Sequence, residues 1–330
     1  MTQNTAIGID ISKSKLDMCI KTQDKYIHKS FKNFNSDYKD INNFLVRNNI
    51  TKEHQIIVES TGNYHIPVCI NLQKRFDVKV INPIISKQKI KYDIRKKKTD
   101  KSDAILLAEL GSEREFNTSA LSVKEIEKLK IVKTIESVNK HITAIKLSIK
   151  NTKELFNQIG ISTQYFTELL KALKVCELRV EELYEKLYEL CDKKELVESV
   201  SKVKGITSKT ALRLVSLLED RKFKTKGAMV AYIGIDLSIN ESGQFRGKKR
   251  LTKRGKSILR CDLVRTAWGL YMHNNDIKEF YEKLKAQGRK YYEILVIIAR
   301  KFVHKLFGAI KHGIFNPNCI SEINFSLTSA

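Results

Sequence analysis

An α/β N-terminal domain, a helical coiled-coil spacer and a mainly α C-terminal domain are what this 330-residue sequence predicts. Three observations carry that reading. The N-terminal third alternates strand and helix patterns, the middle repeats apolar residues at spacings of three and four, and from about residue 200 the pattern is compact, helical and broken by glycine turns.

In "AIGIDIS" at 6–12, Ile7, Ile9 and Ile11 share one face and Gly8 and Asp10 the other, the period of a half-buried strand. "LDMCIKT" and "KYIHKSFKNF" continue as strands, and 37–49 has a helical pattern. "QIIVES" at 55–60 is a short apolar strand ending in Glu59, "GNYHIPVCINLQKRF" reads as a helix, and "VKVINP" at 78–83 is a strand stopped by Pro83. A basic segment follows, then a helix starting near Asp100. This βββαβαβα order is that of the RNase H-like architecture, which carries acids on its first strand, at the end of its fourth and on a later helix. Asp10, Glu59, and Asp100 with Asp103 fill those positions.

In the middle, Ile131, Ile135, Val138, Ile142, Ile145 and Ile149 form one heptad seam, and Leu169, Leu173, Cys176, Val180, Leu183, Leu187 and Leu190 a second. The seams fit two helices packed on each other in one chain or helices paired between subunits, and the period does not choose. Beyond 200, turns are expected at "KGIT", "YIGID" and "SGQFRG", and "YYEILVIIARKFVHKLFGAIKHG" reads as an amphipathic core helix.

Lys and Arg number 61 against 37 Asp and Glu, and a formal charge of +24 selects a polyanion: DNA, RNA or an acidic membrane surface. No run of eighteen apolar residues occurs, and "ILVIIA" ends at Arg300, so a soluble, cytoplasmic protein is expected, with no membrane partner and no signal peptide. The six cysteines (19, 69, 176, 191, 261 and 319) have no metal-ligand spacing and no disulfide framework, and the seven histidines are scattered. Carboxylates remain as candidate metal ligands.

Each carboxylate also has a plain structural reading. Asp100 and Asp103, inside "KKKTDKSDA", complement the dipole of the helix they open, and Glu59 before "STGNY" suits a helix entry capped by Ser60 or Thr61. Against this stands their joint order. Hard divalent ions on a scissile phosphate need several oxygen ligands from separate elements converging at one sheet edge. A second group lies in "INESGQFRG": Ser242 offers a hydroxyl nucleophile, although Asn-Glu-Ser-Gly is also an ordinary turn composition. The stretch after it, "QFRGKKRLTKRGKSILR" (244–260), has eight Lys or Arg and no acid, which suits a phosphate-contacting loop.

The order "GIDISKSKLD", "VESTGNY", "KKTDKSDAILLAEL", "VKGITSKTALRLVSLLED", "FKTKGAMVAYIGIDLSINESGQFRGKKRLTKRGKSILR" and "ARKFVHKLFGAI" resembles the insertion-sequence 110 family of transposases over nearly the whole chain. The resemblance implies a RuvC-like domain with an Asp-Glu-Asp-Asp tetrad over 1–120, a coiled-coil spacer over 121–199, and a transposase domain with a nucleophilic serine over 200–330. The tetrad falls on Asp10, Glu59, Asp100 and Asp103, and the serine on Ser242. Lys96, Lys97, Lys98, Arg246, Lys248, Lys249, Arg250, Lys253, Arg254 and Lys256 would hold nucleic acid. Also implied are Mg2+ (or Mn2+), donor and target DNA, an element-encoded guide RNA, a homo-oligomer (dimer or tetramer) and a bacterial, DNA-associated setting. Two positions depart from the family pattern: Thr207 stands where the second hairpin glycine is usual, and Ile235-Asp236-Leu237 replaces a Leu-Xaa-Pro turn. Rival readings are a DNA invertase of the same family, a junction-resolving nuclease using metal-activated water, and a non-enzymatic architectural binder, which explains the acids worst.

Overall fold

The alternation at the N-terminus becomes strand β1 (Ala6–Ile11), which pairs antiparallel with β2 (Lys15–Lys21), itself antiparallel to β3 (Tyr26–Lys32). Across the helix α1 (Tyr38–Arg47) the chain returns as β4 (Gln55–Glu59), parallel to β1, and after α2 (His65–Leu72) as β5 (Asp77–Ile81), parallel to β4. The sheet order is β3-β2-β1-β4-β5. A computed structural model describes residues 5–23, 25–60, 62–92, 99–118, 120–238, 241–242, 245–246, 250–252 and 255–316, with backbone alone at 90–92, 237–238, 241–242, 245–246 and 250. The chain divides into two compact units, Met1–Val123 and Lys124–Ala330.

In the first unit one sheet face packs Ile7, Ile9, Leu16, Met18 and Ile20 against Ile41 and Leu45 of α1 and Val68 and Leu72 of α2. Each such side chain contributes roughly 1.5–3 kcal/mol on burial. The opposite face takes α4 (Asp100–Glu113), through Leu107 and Leu110 against Ile57 and Ile81 and through Ala104 and Ala108 against Cys19. Two details differ from the sequence reading. α2 begins at His65 rather than near Gly62, whose φ of +51° makes it a turn residue, and Pro67 fits the first helical turn. Pro83 does stop the strand, but it also begins α3 (Pro83–Tyr92), within what read only as a basic segment; proline suits a first helical position.

The second unit opens with α5 (Val123–Gln158) and α6 (Phe166–Leu190). Their seams meet within the chain: Ile142, Ile149 and Leu173 form one cluster, while Val132, Ile135, Val180 and Leu187 run into the core of the remaining helices. These are α7 (Lys194–Ser201), α8 (Ser208–Leu218), α9 (Lys226–Ile233), α10 (Ser257–His273), α11 (Asn275–Ala286) and α12 (Tyr291–His312). As its periodicity required, α12 buries Ile294, Leu295, Ile298, Phe302, Val303 and Leu306. Short strands β6 (Leu237–Ser238), β7 (Glu241–Ser242), β8 (Phe245–Arg246) and β9 (Arg250–Leu251) lie between α9 and α10, with β6 pairing β9 and β7 pairing β8.

Gly205 shows what the "KGIT" turn does. Its φ is +95° and an added Cβ would lie 2.2 Å from the Gly269 carbonyl oxygen, so the loop presses directly on α10. Thr207, at the position departing from the family pattern, accepts a hydrogen bond from Thr210 N (3.2 Å) and caps α8. Among the described residues no helix is long and apolar enough to cross a membrane.

Candidate active site

The site is set by how closely α4 lies on β1. A Cβ on Gly8 would meet Ala104 O at 2.1 Å and Ala108 N at 2.3 Å, so only glycine lets this helix backbone rest on the strand. Asp10 is two residues further on the same face, and α4 begins with Asp100 and Asp103. The helix entry does not use these acids as caps. Thr99 accepts from Ser102 N (3.1 Å) while Ser102 Oγ accepts from Thr99 N (2.8 Å), a complete capping box. Nor does Ser60 cap α2, whose cap position is Tyr64; Ser60 N instead donates to Ile81 O, extending the β4–β5 pairing past Glu59.

Asp10 registers the convergence of all four. Its carboxyl is pushed up from 3.8 to about 6, first by burial and then by the charges of Asp103, Asp100 and Glu59. Glu59 is held from α3, where buried Ser86 donates its hydroxyl to Oε2 at 2.5 Å. On the other side, β2 places Asp17 directly opposite Asp10. Burial pushes Asp17 up, but hydrogen bonds from Lys15 and Ser30, with the charges of Lys15 and His28, outweigh it and hold Asp17 below its usual value. Lys15 Nζ lies 2.8 Å from Asp17 and 3.8 Å from Asp100, so one ammonium spans the supporting acid and the tetrad. Sequence reasoning missed Lys15, Asp17 and Ser86. The three-residue connection from Ile11 to Lys15 would have put Asp17 across from Asp10 had the strands been registered.

The donor chemistry around Asp10 suits a hard divalent cation: oxygens from three elements, and mutual repulsion that such a charge relieves. Among the described residues, the three-carboxylate group whose oxygens all lie within 4.8 Å of one another is elsewhere, at Asp192, Glu219 and Asp220. That group already has its cations. Fully buried Lys128 contacts Glu219 at 2.5 Å and Asp220 at 2.8 Å, Lys124 contacts Asp192 at 2.5 Å, and the backbone N–H groups of Asp192 and Lys193 donate to Glu219. It is a structural ion-pair cluster and does not fit a metal site.

Ser242 ends β7, paired with Phe245 of β8; Arg246 and Arg250 lie on β8 and β9. Lys256 precedes α10 with its ammonium 5.3 Å from the Tyr232 ring centroid. Lys96, Lys97, Lys98, Lys248, Lys249, Lys253 and Arg254 lie outside the described residues, as do Gly243, Gln244 and Gly247 of the "SGQFRG" turn.

Comparison with known proteins places this arrangement. A transposase family model matches residues 7–152, spanning all four acids, and the model of the transposase IS116/IS110/IS902 family matches residues 197–282, spanning Ser242. The pilin gene-inverting protein of Moraxella lacunata is 22% identical over 323 residues, covering 93% of this chain and 96% of the relative. The pilin gene-inverting protein of Moraxella bovis is 22% identical over 324 residues with the same coverage. The α/β sheet unit, the helical remainder and these relationships define a DNA-rearranging enzyme of the transposase and recombinase class. The chain belongs to the insertion-sequence 110 family of transposases.

Proposed function

We propose that this chain cuts and rejoins DNA through a covalent phosphoserine intermediate at Ser242, with Asp10, Glu59, Asp100 and Asp103 as ligands for Mg2+ (or Mn2+). The observation that carries the reading is the raised Asp10 carboxyl, pushed up first by burial and then by three other carboxylates from β4 and α4 on one sheet edge. The strand order supports an RNase H-like, RuvC-like first domain over 1–120, with 121–199 as spacer and 200–330 as transposase domain. When bound, a divalent cation supplies charge neutralisation at the scissile phosphate and at the leaving oxygen. The Ser242 oxygen forms a bond to phosphorus as the bond to the leaving deoxyribose oxygen breaks; the hydroxyl proton passes to solvent or a nearby base. A hydroxyl of the exchanging strand reverses the step, so the phosphodiester count is conserved. The basic residues from Lys96 to Lys98 and from Arg246 to Lys256 hold the donor and target DNA and an element-encoded guide RNA by their backbones. Two DNA partners held at once suit a dimer or tetramer.

The test is Ser242→Ala. Metal and DNA binding should persist while covalent protein–DNA adducts, trapped by denaturation during turnover, disappear along with recombination. Cleavage at the wild-type rate with a free phosphate end and no adduct would make metal-activated water the nucleophile and sink the serine mechanism. A second reading, site-specific inversion, is favoured by the names of the two Moraxella relatives and uses the same residues. Recombination substrates with the sites inverted in one molecule, against sites on separate molecules, discriminate the two.

A further inference from the structure

We infer that a cleft between α5 and the start of α10 is a phosphate-binding site for the DNA strand being exchanged, a contact resting on the DNA-handling function just proposed. The cleft holds about 450 Å³ and is lined by Lys133, Glu136, Ser137 and Lys140 of α5 and by Gly255, Lys256 and Ser257. The spacing explains the lining: positions 133, 137 and 140 fall on one stripe of a helix, offset from the apolar stripe of Val132, Ile135 and Ile142 that packs inward.

Lys133 and Lys140 share the cleft side of α5, and neither has a counter-charge among the described residues. On the same helix, Lys124 faces Asp192 at 2.5 Å, Lys128 faces Glu219 and Asp220, Lys146 faces Glu177 at 2.6 Å and Lys150 faces Glu154 at 3.8 Å. Among the described residues Lys133 and Lys140, both exposed, have no ion pair. The acid of the cleft does not quench them: Glu136 is directed to α10, where Arg265 lies at 3.6 Å beside buried Asp262. Lys133 also lies near enough to Lys130 for the two charges to repel. Three ammonium groups and two hydroxyls around an open, concave surface are a donor set for the non-bridging oxygens of a phosphodiester.

The cleft's place in the chain selects the DNA strand as occupant. The segment carrying Ser242 leaves and re-enters the bundle beside it: Ser238 pairs with Arg250, Thr252 N donates to Asp236 O at 2.9 Å, and an added Cβ on Gly255 would lie 2.1 Å from Tyr232 O. Gly255 and Lys256 are therefore both the foot of that segment and one wall of the cleft. A phosphate seated there anchors the strand at the base of the hairpin that attacks it.

The test uses the full chain and the salt dependence of binding to a labelled DNA duplex, with an RNA of equal length as the second arm. Lys133→Gln with Lys140→Gln keeps helix propensity and removes two charges; Lys150→Gln with Lys171→Gln, two lysines facing Glu154 and Glu168, removes the same charge elsewhere. For two lost phosphate contacts the slope of log affinity against log salt should flatten by about 1.8, with a roughly ten- to sixty-fold loss of DNA affinity at 0.1 M salt. The control pair should change the slope by much less. An unchanged slope, an equal change in the control pair, or a change for RNA alone overturns the assignment. Wild-type protein that fails to bind DNA would instead bring down the DNA-handling function itself.

Discussion

Replacing Asp10 by Asn should make the metal-free first unit more stable while disabling it. The carboxyl of Asp10 has a folded-state pKa of about 6 against an ordinary 3.8, raised first by burial and then by Asp103, Asp100 and Glu59. Because the folded value lies above the unfolded one, the unfolded chain releases this proton first. Each pH step from 3.8 towards 6 therefore costs stability; the penalty is complete above the folded value and absent below 3.8. The gap between 3.8 and about 6 corresponds to at most about 3 kcal/mol at 1.36 kcal/mol per tenfold change in proton affinity. Solvent screening of a partly exposed group reduces this to about 1–2 kcal/mol. The asparagine amide matches the protonated acid in shape without the charge, so it should recover that amount at pH 8 and almost nothing at pH 4. Hydrogen exchange at the Ala6–Ile11 amides isolates this unit from the rest of the chain. With chelator present, exchange in the variant should be about 5- to 30-fold slower than wild type at pH 8 and equal at pH 4, comparisons at one pH cancelling the intrinsic rate. Equal rates at pH 8, or the same gain at both pH values, would show that burial and the three neighbouring carboxylates do not raise Asp10.

Gly8→Ala should act oppositely, since its methyl would overlap the Ala104 carbonyl oxygen at 2.1 Å and drive α4 off the strand. A loss of about 1–3 kcal/mol is expected, read as faster exchange of the same β1 amides together with weaker Mg2+ binding by calorimetry. Lys128→Met leaves Glu219, whose side chain is 1% exposed, without its ammonium partner. Destabilisation of about 3–5 kcal/mol should follow, read from thermal unfolding by the fluorescence of Trp268, the single tryptophan, which reports the second unit alone. Adding Glu219→Gln should recover part of that loss; no recovery would mean that Lys128 stabilises by packing alone.

The parts legible in the sequence are those where a local pattern states a tertiary fact. Ile7, Ile9 and Ile11 alternate because the sheet has one face on α1 and α2, and Gly8 and Asp10 alternate with them because the other face takes α4. The order of strands and helices then assigns Glu59 and the start of α4 to the same edge. Pairing across elements was not legible. The heptads at 131–149 and 169–190 require only that some surface cover each apolar stripe; that Ile142 and Ile149 meet Leu173 of the same chain is a tertiary outcome. Ile145 and Leu169, in phase with those seams, are 38% and 44% exposed, so the intrachain contact covers the stripes incompletely. α3 was hidden because a proline that ends a strand can equally begin a helix.

The two carboxylate groups of the molecule show why residue type cannot by itself locate a metal centre. Asp192, Glu219 and Asp220 gather more tightly than the acids around Asp10, yet their oxygens face the ammonium groups of Lys124 and Lys128 and two backbone N–H donors. Acids so compensated are at rest, and a dication at Glu219 would have to displace Lys128, which is already desolvated. Around Asp10 the balance has the other sign. Lys15 reaches Asp100 only at 3.8 Å and is shared with Asp17, so the Asp10 carboxyl stays raised, first by its burial and then by the charges of Asp103, Asp100 and Glu59. Compensation depends on which helix brings its lysine, a property of the fold that counting carboxylates in the sequence does not reach. If the tetrad holds a dication, as proposed, that charge would offset both the burial and the mutual repulsion that raise Asp10, beside the phosphodiester it acts on.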